Sequence, residues 1–396
     1  MTGNAHAPTR RAGNRKAQLA LLAAELFCAR GYHGVGIDEI AAAAGISGPA
    51  IYRHFPTKYA LLVHATRELA EAVRAEVTEG LAEGDTPAGQ LDGALAALAR
   101  LTVRQRKVGS LYQWEGRYLE PEHRHEFRDQ LSAVVTQLTG PLRELRPELS
   151  AADADLLVRG AFSALASLTT HRAPIARGRA ETLLRRLGAT VLATGLPAPL
   201  TPAAQPDGTP TLTPGARREV LLAAAIKLFH ERGYHAVSIE DIGAAAGINA
   251  SSVYRHFAGK GDLLAAAYYR AADRLGATIT STLATTDTPA RALDQLTESY
   301  IGLAFAQPDL VSVYLAENTN LPEHDRHQLR KAQRLHTEEW VRLLTATRPD
   351  LPATDARIIA HAALNVVIDL GRRVGFDTRT GGDSRVAAVA EAIFRS

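Results

Sequence analysis

The sequence holds one cysteine, Cys28, so no disulfide can close within the chain, as suits a reducing compartment. Cys28 sits in an apolar helical stretch and reads as a small core residue rather than a reactive thiol. Long apolar runs are missing too. The longest are broken by charge or histidine, as at His361 and Asp369, which argues against a membrane span. The N-terminal residues, with Pro8, Arg10 and Arg11, contain no apolar segment and do not form a signal peptide. They read as a basic flexible arm, residues 1–14, that either lies along phosphates or stays a solvated tail. Net charge is only +3 over 396 residues, so any basic footprint for a polyanion must be local.

Catalytic apparatus is absent as well. His123 and His125 are two residues apart and fall on different helical faces, and no cysteine or carboxylate set has metal-ligand spacing. No glycine-rich phosphate loop follows a strand and no nucleophile motif occurs. These gaps argue against an enzyme and call for no cofactor and no metal.

Abundant alanine and leucine, with 46% apolar residues overall, suit packed helices, and the length suits two domains or more. The most informative stretch is IDEIAAAAGISGPAIYRHFPTK, residues 37–58. Ile37, Ile40, Ala41 and Ala44 fall at the spacing of one buried helical face. Gly45 can adopt the left-handed conformation that ends such a helix, Ser47 is a good N-cap, and Pro49 is tolerated in a first turn. Two short helices around a glycine turn describe a helix-turn-helix, whose second helix enters the major groove. Residues 239–260, IEDIGAAAGINASSVYRHFAGK, repeat the pattern at an offset of 202. From Phe27 to Leu62 about 20 of 36 positions recur, which marks an internal duplication. It extends into the bodies: Arg146–Leu149 matches Arg348–Leu351, and Tyr112 and Glu115 match Tyr314 and Glu317.

The runs LFCARGYHGVGIDEIAAAAGI with YRHFPTKYALL, and LFHERGYHAVSIEDIGAAAGI with YRHFAGKGDLL, resemble the TetR family of bacterial transcriptional regulators, once in each half. The double layout is similar to tandem TetR-type repressors of actinobacteria that control lipid-related operons. The resemblance implies an all-α chain of two tandem units, each a three-helix DNA-binding head on a helical ligand-binding and dimerisation body. On that reading 15–65 and 216–267 are the heads, 66–196 and 268–396 the bodies, and 197–215 a Pro/Thr linker. The chain would then be a cytoplasmic, ligand-responsive repressor on double-stranded DNA. The alternative is a helical adaptor or small-molecule binder that has lost DNA binding.

Tyr52, His54, Tyr254 and His256 are expected to bond phosphate oxygens, or else to cap the hairpin locally. Lys58 and Lys260 should add charge at a helix N-terminus that favours anions. Arg53 and Arg255 read guanine or hold a phosphate. Base reading falls to the helix fronts, which differ: Ser47, Gly48 and Pro49 in the first head, and Asn249, Ala250, Ser251 and Ser252 in the second. Unlike heads imply unlike half-sites. The two bodies are expected to pair within the chain as a pseudo-dimer through 152–171 and 180–195 against 354–371 and 384–395, with a homodimer of chains as a further assembly. The resemblance also implies a small apolar or amphipathic effector of lipid, sterol or acyl-CoA type. Candidates to touch it are Tyr112, Trp114, Glu115, Arg117 and Tyr118 in the first body and Tyr314, Glu317, Asn318, His336 and Trp340 in the second. Aromatics at this spacing also serve as plain core.

Overall fold

The computed structural model describes residues 7–109, 111, 118–201 and 215–396, the side chains of 7–14 and of Leu315 excepted. All regular structure among them is helical, and the chain divides into two compact units, residues 1–192 and 193–396. No described helix is long and apolar enough to cross a membrane.

In the first unit α1 (Ala7–Arg30), α2 (Ile37–Ala43) and α3 (Gly48–Ile51) form the head. Helix α1 starts within the expected N-terminal arm, so residues 7–14 are helical. Leu19, Ala23 and Phe27 from α1, Ile40 and Ala41 from α2, and Ile51 with Phe55 form a core from which water is excluded. The turns match the sequence reading. Gly31 and Gly45 sit at φ 78° and 67°, where a Cβ would be strained. Thr57 caps α4 (Lys58–Ala82) by accepting a 3.0 Å hydrogen bond from the Ala60 amide. The body adds α5 (Pro87–Arg104), α6 (Pro121–Leu145), α7 (Ala151–Ala166) and α8 (Arg177–Ala193). Pro141 lies inside α6, against the usual rule that proline ends a helix. Its missing amide removes one hydrogen bond in the last turns, and buried Val134, Val135, Leu138 and Leu142 hold the segment in place.

The second unit repeats the plan: α9 (Arg217–Arg232), α10 (Ile239–Ala245) and α11 (Ala250–Val253) form the head. The body comprises α12 (Lys260–Thr285), α13 (Pro289–Ala306), α14 (Pro308–Ala316), α15 (Glu323–Thr347), α16 (Ala353–Arg373) and α17 (Gly382–Arg395). Gly233 and Gly247 take φ 82° and 69°. Gly259 offers no side chain to cap α12, and the carboxylate of Asp262 instead accepts from the Ala258 amide at 3.0 Å. Ser238 and Asp241 form a reciprocal capping box at α10. Leu200, at the start of the expected linker, donates its amide to the Thr380 carbonyl, and 202–214 lie outside the described residues.

Each head is fastened to its long helix by the lysine that opens it. Lys58 Nζ donates to the carbonyls of Tyr32 and Val35, both at 3.0 Å, and lies 4.4 Å from the Tyr32 ring centre. Lys260 does the same with Tyr234 (2.7 Å), Val237 (2.8 Å) and the Tyr234 ring (4.3 Å). Burial pushes both ammonium groups below the ordinary lysine value. Two of the three N–H donors of each ammonium group are therefore engaged within the protein.

Two stability effects follow. Phe229→Ala should cost about 3–5 kcal/mol in urea unfolding, because the ring is fully buried beneath the head. Lys260→Met should cost about 1–3 kcal/mol in the same measurement, because two loop carbonyls lose their charged donor.

Candidate nucleic-acid interface

The surface to be explained lies on α3 and α11. Each is a single turn whose apolar side faces inward: Ile51 and Phe55 are buried in the first head, Val253 and Phe257 in the second. The opposite side carries Tyr52 and Arg53, or Tyr254 and Arg255, exposed to solvent. Tyr52 and Tyr254 expose 52% and 53% of their surface, high for a large ring. A histidine follows at the edge, half-buried as His54 and exposed as His256. Amide bonds from His54 to Ile51 and from His256 to Val253, both 2.9 Å, extend the helical turn through these residues. The structure thus brings Tyr, Arg and His onto one outward face in both copies.

A basic residue lies behind each face. Lys16 Nζ is 5.8 Å from the Phe55 ring centre, and its duplicate Arg218 lies 4.7 Å from that of Phe257. Arg218 escaped the sequence reading because its signal is positional: it stands 202 residues after Lys16, as the second residue of α9. With His256, Asp262, Tyr269, Arg270, Asp273 and others it lines an open cleft of about 500 Å³ of mixed charge.

The two fronts differ in rigidity as well as in composition. In the second head Asn249 caps α11 through its side-chain oxygen, which accepts from the Ser252 amide and the Ser251 hydroxyl, both at 2.9 Å. Ser252 Oγ in turn accepts from Arg255 Nη2 at 2.7 Å. The acceptor of Asn249 and the hydroxyl hydrogen of Ser251 are thus engaged internally, leaving the Asn249 amide hydrogens and the rest of the Arg255 guanidinium facing outward. In the first head Ser47 occupies the N-cap position but its side chain makes no capping bond. Gly48 lies under Asp38, whose carboxylate would collide with any Cβ there. Ala50 stands where Ser252 stands, so Arg53 has no neighbouring hydroxyl to donate to.

The ligand candidates separate into three groups. Tyr112, Trp114, Glu115 and Arg117 lie outside the described residues. Tyr118 stacks on Tyr32 at 5.6 Å and meets His33 edge-on, at the junction of head and body. Glu317, buried, belongs to the equivalent junction: it accepts from the Tyr234 amide at 3.1 Å and from Asn320 Nδ2 at 2.7 Å. Asn320 also meets His235 at 2.8 Å, and Asn318 opens the short 3-10 turn that carries it. Within the second body Tyr314 packs against Tyr268 and Trp340 meets Tyr300, which the sequence reading did not name, while His336 lies close to Gly276 of α12.

Comparison with known proteins agrees with the heads. The signature of "Bacterial regulatory proteins, tetR family" matches residues 21–65 and 221–267. The chain is 51% identical over 47 residues to the HTH-type transcriptional activator FasR of Mycolicibacterium smegmatis, covering 12% of this chain and 22% of that protein. It is 28% identical over 124 residues to the HTH-type transcriptional repressor KstR2 of Rhodococcus jostii, covering 31% of this chain and 61% of that protein. The matches therefore span about a fifth and about three fifths of these relatives' lengths. A TetR-family transcriptional regulator from Bordetella parapertussis is 22% identical with a TM-score of 0.41, over 46% of this chain and 94% of that one. Each half of the chain thus carries one segment that matches the tetR family of bacterial regulatory proteins, and the chain is similar to that family twice over.

Proposed function

We propose that the chain is a ligand-responsive repressor that uses its two unlike heads on an asymmetric DNA operator. The observation that carries the reading is the twice-built outward face of Tyr52, Arg53 and His54, and of Tyr254, Arg255 and His256, over a buried phenylalanine. Phenol and imidazole groups beside a guanidinium suit phosphate oxygens and base edges, and a lone core would have no use for such exposure. The repressor sense follows the relative matched over the longer stretch, which is named a repressor.

In this reading Tyr52, His54, Tyr254 and His256 position the heads on the backbone. The second head reads bases through Arg255 and the Asn249 amide hydrogens. The first, fronted by Ser47, Gly48 and Pro49, reads mainly shape and thymine methyl groups. The two bodies pair within one chain, as the sequence duplication and the small residues Ala161, Ser163, Ala164, Ala360, Ala362 and Ala363 support. The half-sites then lie about one helical turn apart, roughly 34–36 Å. The effector is a small apolar or amphipathic molecule of the lipid type, held in a body, that draws the population away from the DNA-matched arrangement.

Recovery and sequencing of genomic fragments bound by the chain should yield an asymmetric consensus, and a symmetric palindrome would refute the two-reader proposal. Arg255→Ala should relax preference at one base position by about 1–3 kcal/mol in gel-shift competition, whereas His256→Ala should weaken all sequences alike. Lys260→Met should leave the salt slope unchanged, because its donors serve loop carbonyls; a phosphate-bound lysine would lower the slope by about one unit.

A further inference from the structure

Two acidic residues stand in the first turn of α2, and the fold treats them differently. Glu39 is tied into the head: its carboxylate accepts from Arg30 at 2.9 Å and from the Gly36 amide at 3.0 Å. Asp38 beside it is exposed and has no hydrogen bond or ion pair among the described residues. Its carboxylate lies against the first residue of α3. A Cβ added to Gly48 would come within 3.4 Å of Asp38 Cγ and collide with Oδ1. The acid of α2 therefore occupies the room that a side chain at the front of α3 would fill. In the second head Ala250 stands at the place of Gly48 and brings its own Cβ, and the matching acid is the longer Glu240.

A helix-turn-helix meets base edges with the front of its second helix. An ionised carboxylate at that front can only accept hydrogen bonds, and the phosphates on either side of the groove repel it. Most base edges repel it as well. Guanine presents O6 and N7 and thymine presents O4, all acceptors, and adenine sets the N7 acceptor beside its N6 donor. Cytosine presents the N4 amine without an acceptor next to it. A carboxylate so placed weakens binding to most sequences and is compensated over one base.

We infer that Asp38 is a specificity-determining residue of the first head: its carboxylate accepts from the N4 amine of a cytosine, and Gly48 leaves the space in which it sits. The inference rests on the DNA-binding reading and adds a polar reader to a front that otherwise offers shape and methyl contacts. It also gives the two unlike fronts opposite preferences. The second head presents donors, Arg255 and the Asn249 amide hydrogens, which suit the acceptor-rich edges of purines. The first presents an acceptor that those same edges repel. Each half-site is then a poor match for the other head, which fixes the direction in which the chain lies on its operator.

Selection of bound duplexes from a randomised DNA pool by the full chain and its variants tests this. The parent should prefer cytosine at one position by roughly 5–20-fold, and Asp38→Ala should lose that preference alone. Asp38→Asn, of the same shape, should select adenine there, because a carboxamide donates to N7 and accepts from N6. Gly48→Ala should lose the cytosine preference in the parent and change nothing further in an Asp38→Ala chain, since its effect is to displace the carboxylate. At the selected position 2-pyrimidinone, which is cytosine without the amine, should weaken the parent by the same factor and leave Asp38→Ala unaffected. Thermal unfolding of Asp38→Ala and Asp38→Asn should stay close to the parent, as the side chain is exposed and unbonded. The inference is overturned if Asp38→Ala keeps every base preference of the parent, even where its overall affinity rises. It is overturned equally if Gly48→Ala retains the cytosine. A parent that selects no sequence removes the DNA-binding reading together with this one, whereas selection that survives Asp38→Ala unchanged removes this one only.

Discussion

An ammonium group held between two backbone carbonyls is the constraint on which each head depends. Lys58 and Lys260 open the long helices and reach back to the loop that follows the first helix of the head. That loop has no regular partner for its carbonyls, and a half-buried cation satisfies two of them at once while its charge rests on a tyrosine ring. The three short elements of the head would otherwise meet the long helix only through apolar packing, which is not directional. Because α3 and α11 are single turns, their outward side chains are placed by this fastening and by the phenylalanine beneath, rather than by helix stability of their own.

The same loop receives a second tie in the second unit. Glu317 accepts from the Tyr234 N–H while Lys260 donates to the Tyr234 carbonyl, so one residue is held through both its flanking peptides by groups of opposite charge. Asn320 carries the tie on to His235. In the first unit Tyr118 stacks on Tyr32 and meets His33 edge-on, and Glu115, the counterpart of Glu317, lies outside the described residues. A displacement of α14 therefore bears on its head through oriented bonds.

Divergence between the copies is distributed with purpose. Positions that build the head core are retained, with Phe27 and Phe229, Ile40 and Ile242, and Phe55 and Phe257 buried alike. Positions that face outward at the helix fronts differ, and so do those that line the body interior. The duplicated chain thus kept its scaffold and altered the helix fronts and the interior of the bodies.

Much of this was legible in the residues alone. Helix periodicity and the left-handed glycine Gly45 depend on neighbours a few positions apart, and local rules capture them; the duplication shows on direct comparison at an offset of 202. The helix through Pro141 ran against such a rule, because tertiary packing outweighed one lost hydrogen bond. What the tertiary structure alone decided are the long-range partners. Lysine finds carbonyls 26 and 23 residues away, and Glu317 finds an amide 83 residues away. Tyr300 meets Trp340 across two helices. A charge or a donor in a sequence carries no sign of its partner, since the partner is chosen by how helices pack and by which polar atoms that packing shuts away from water.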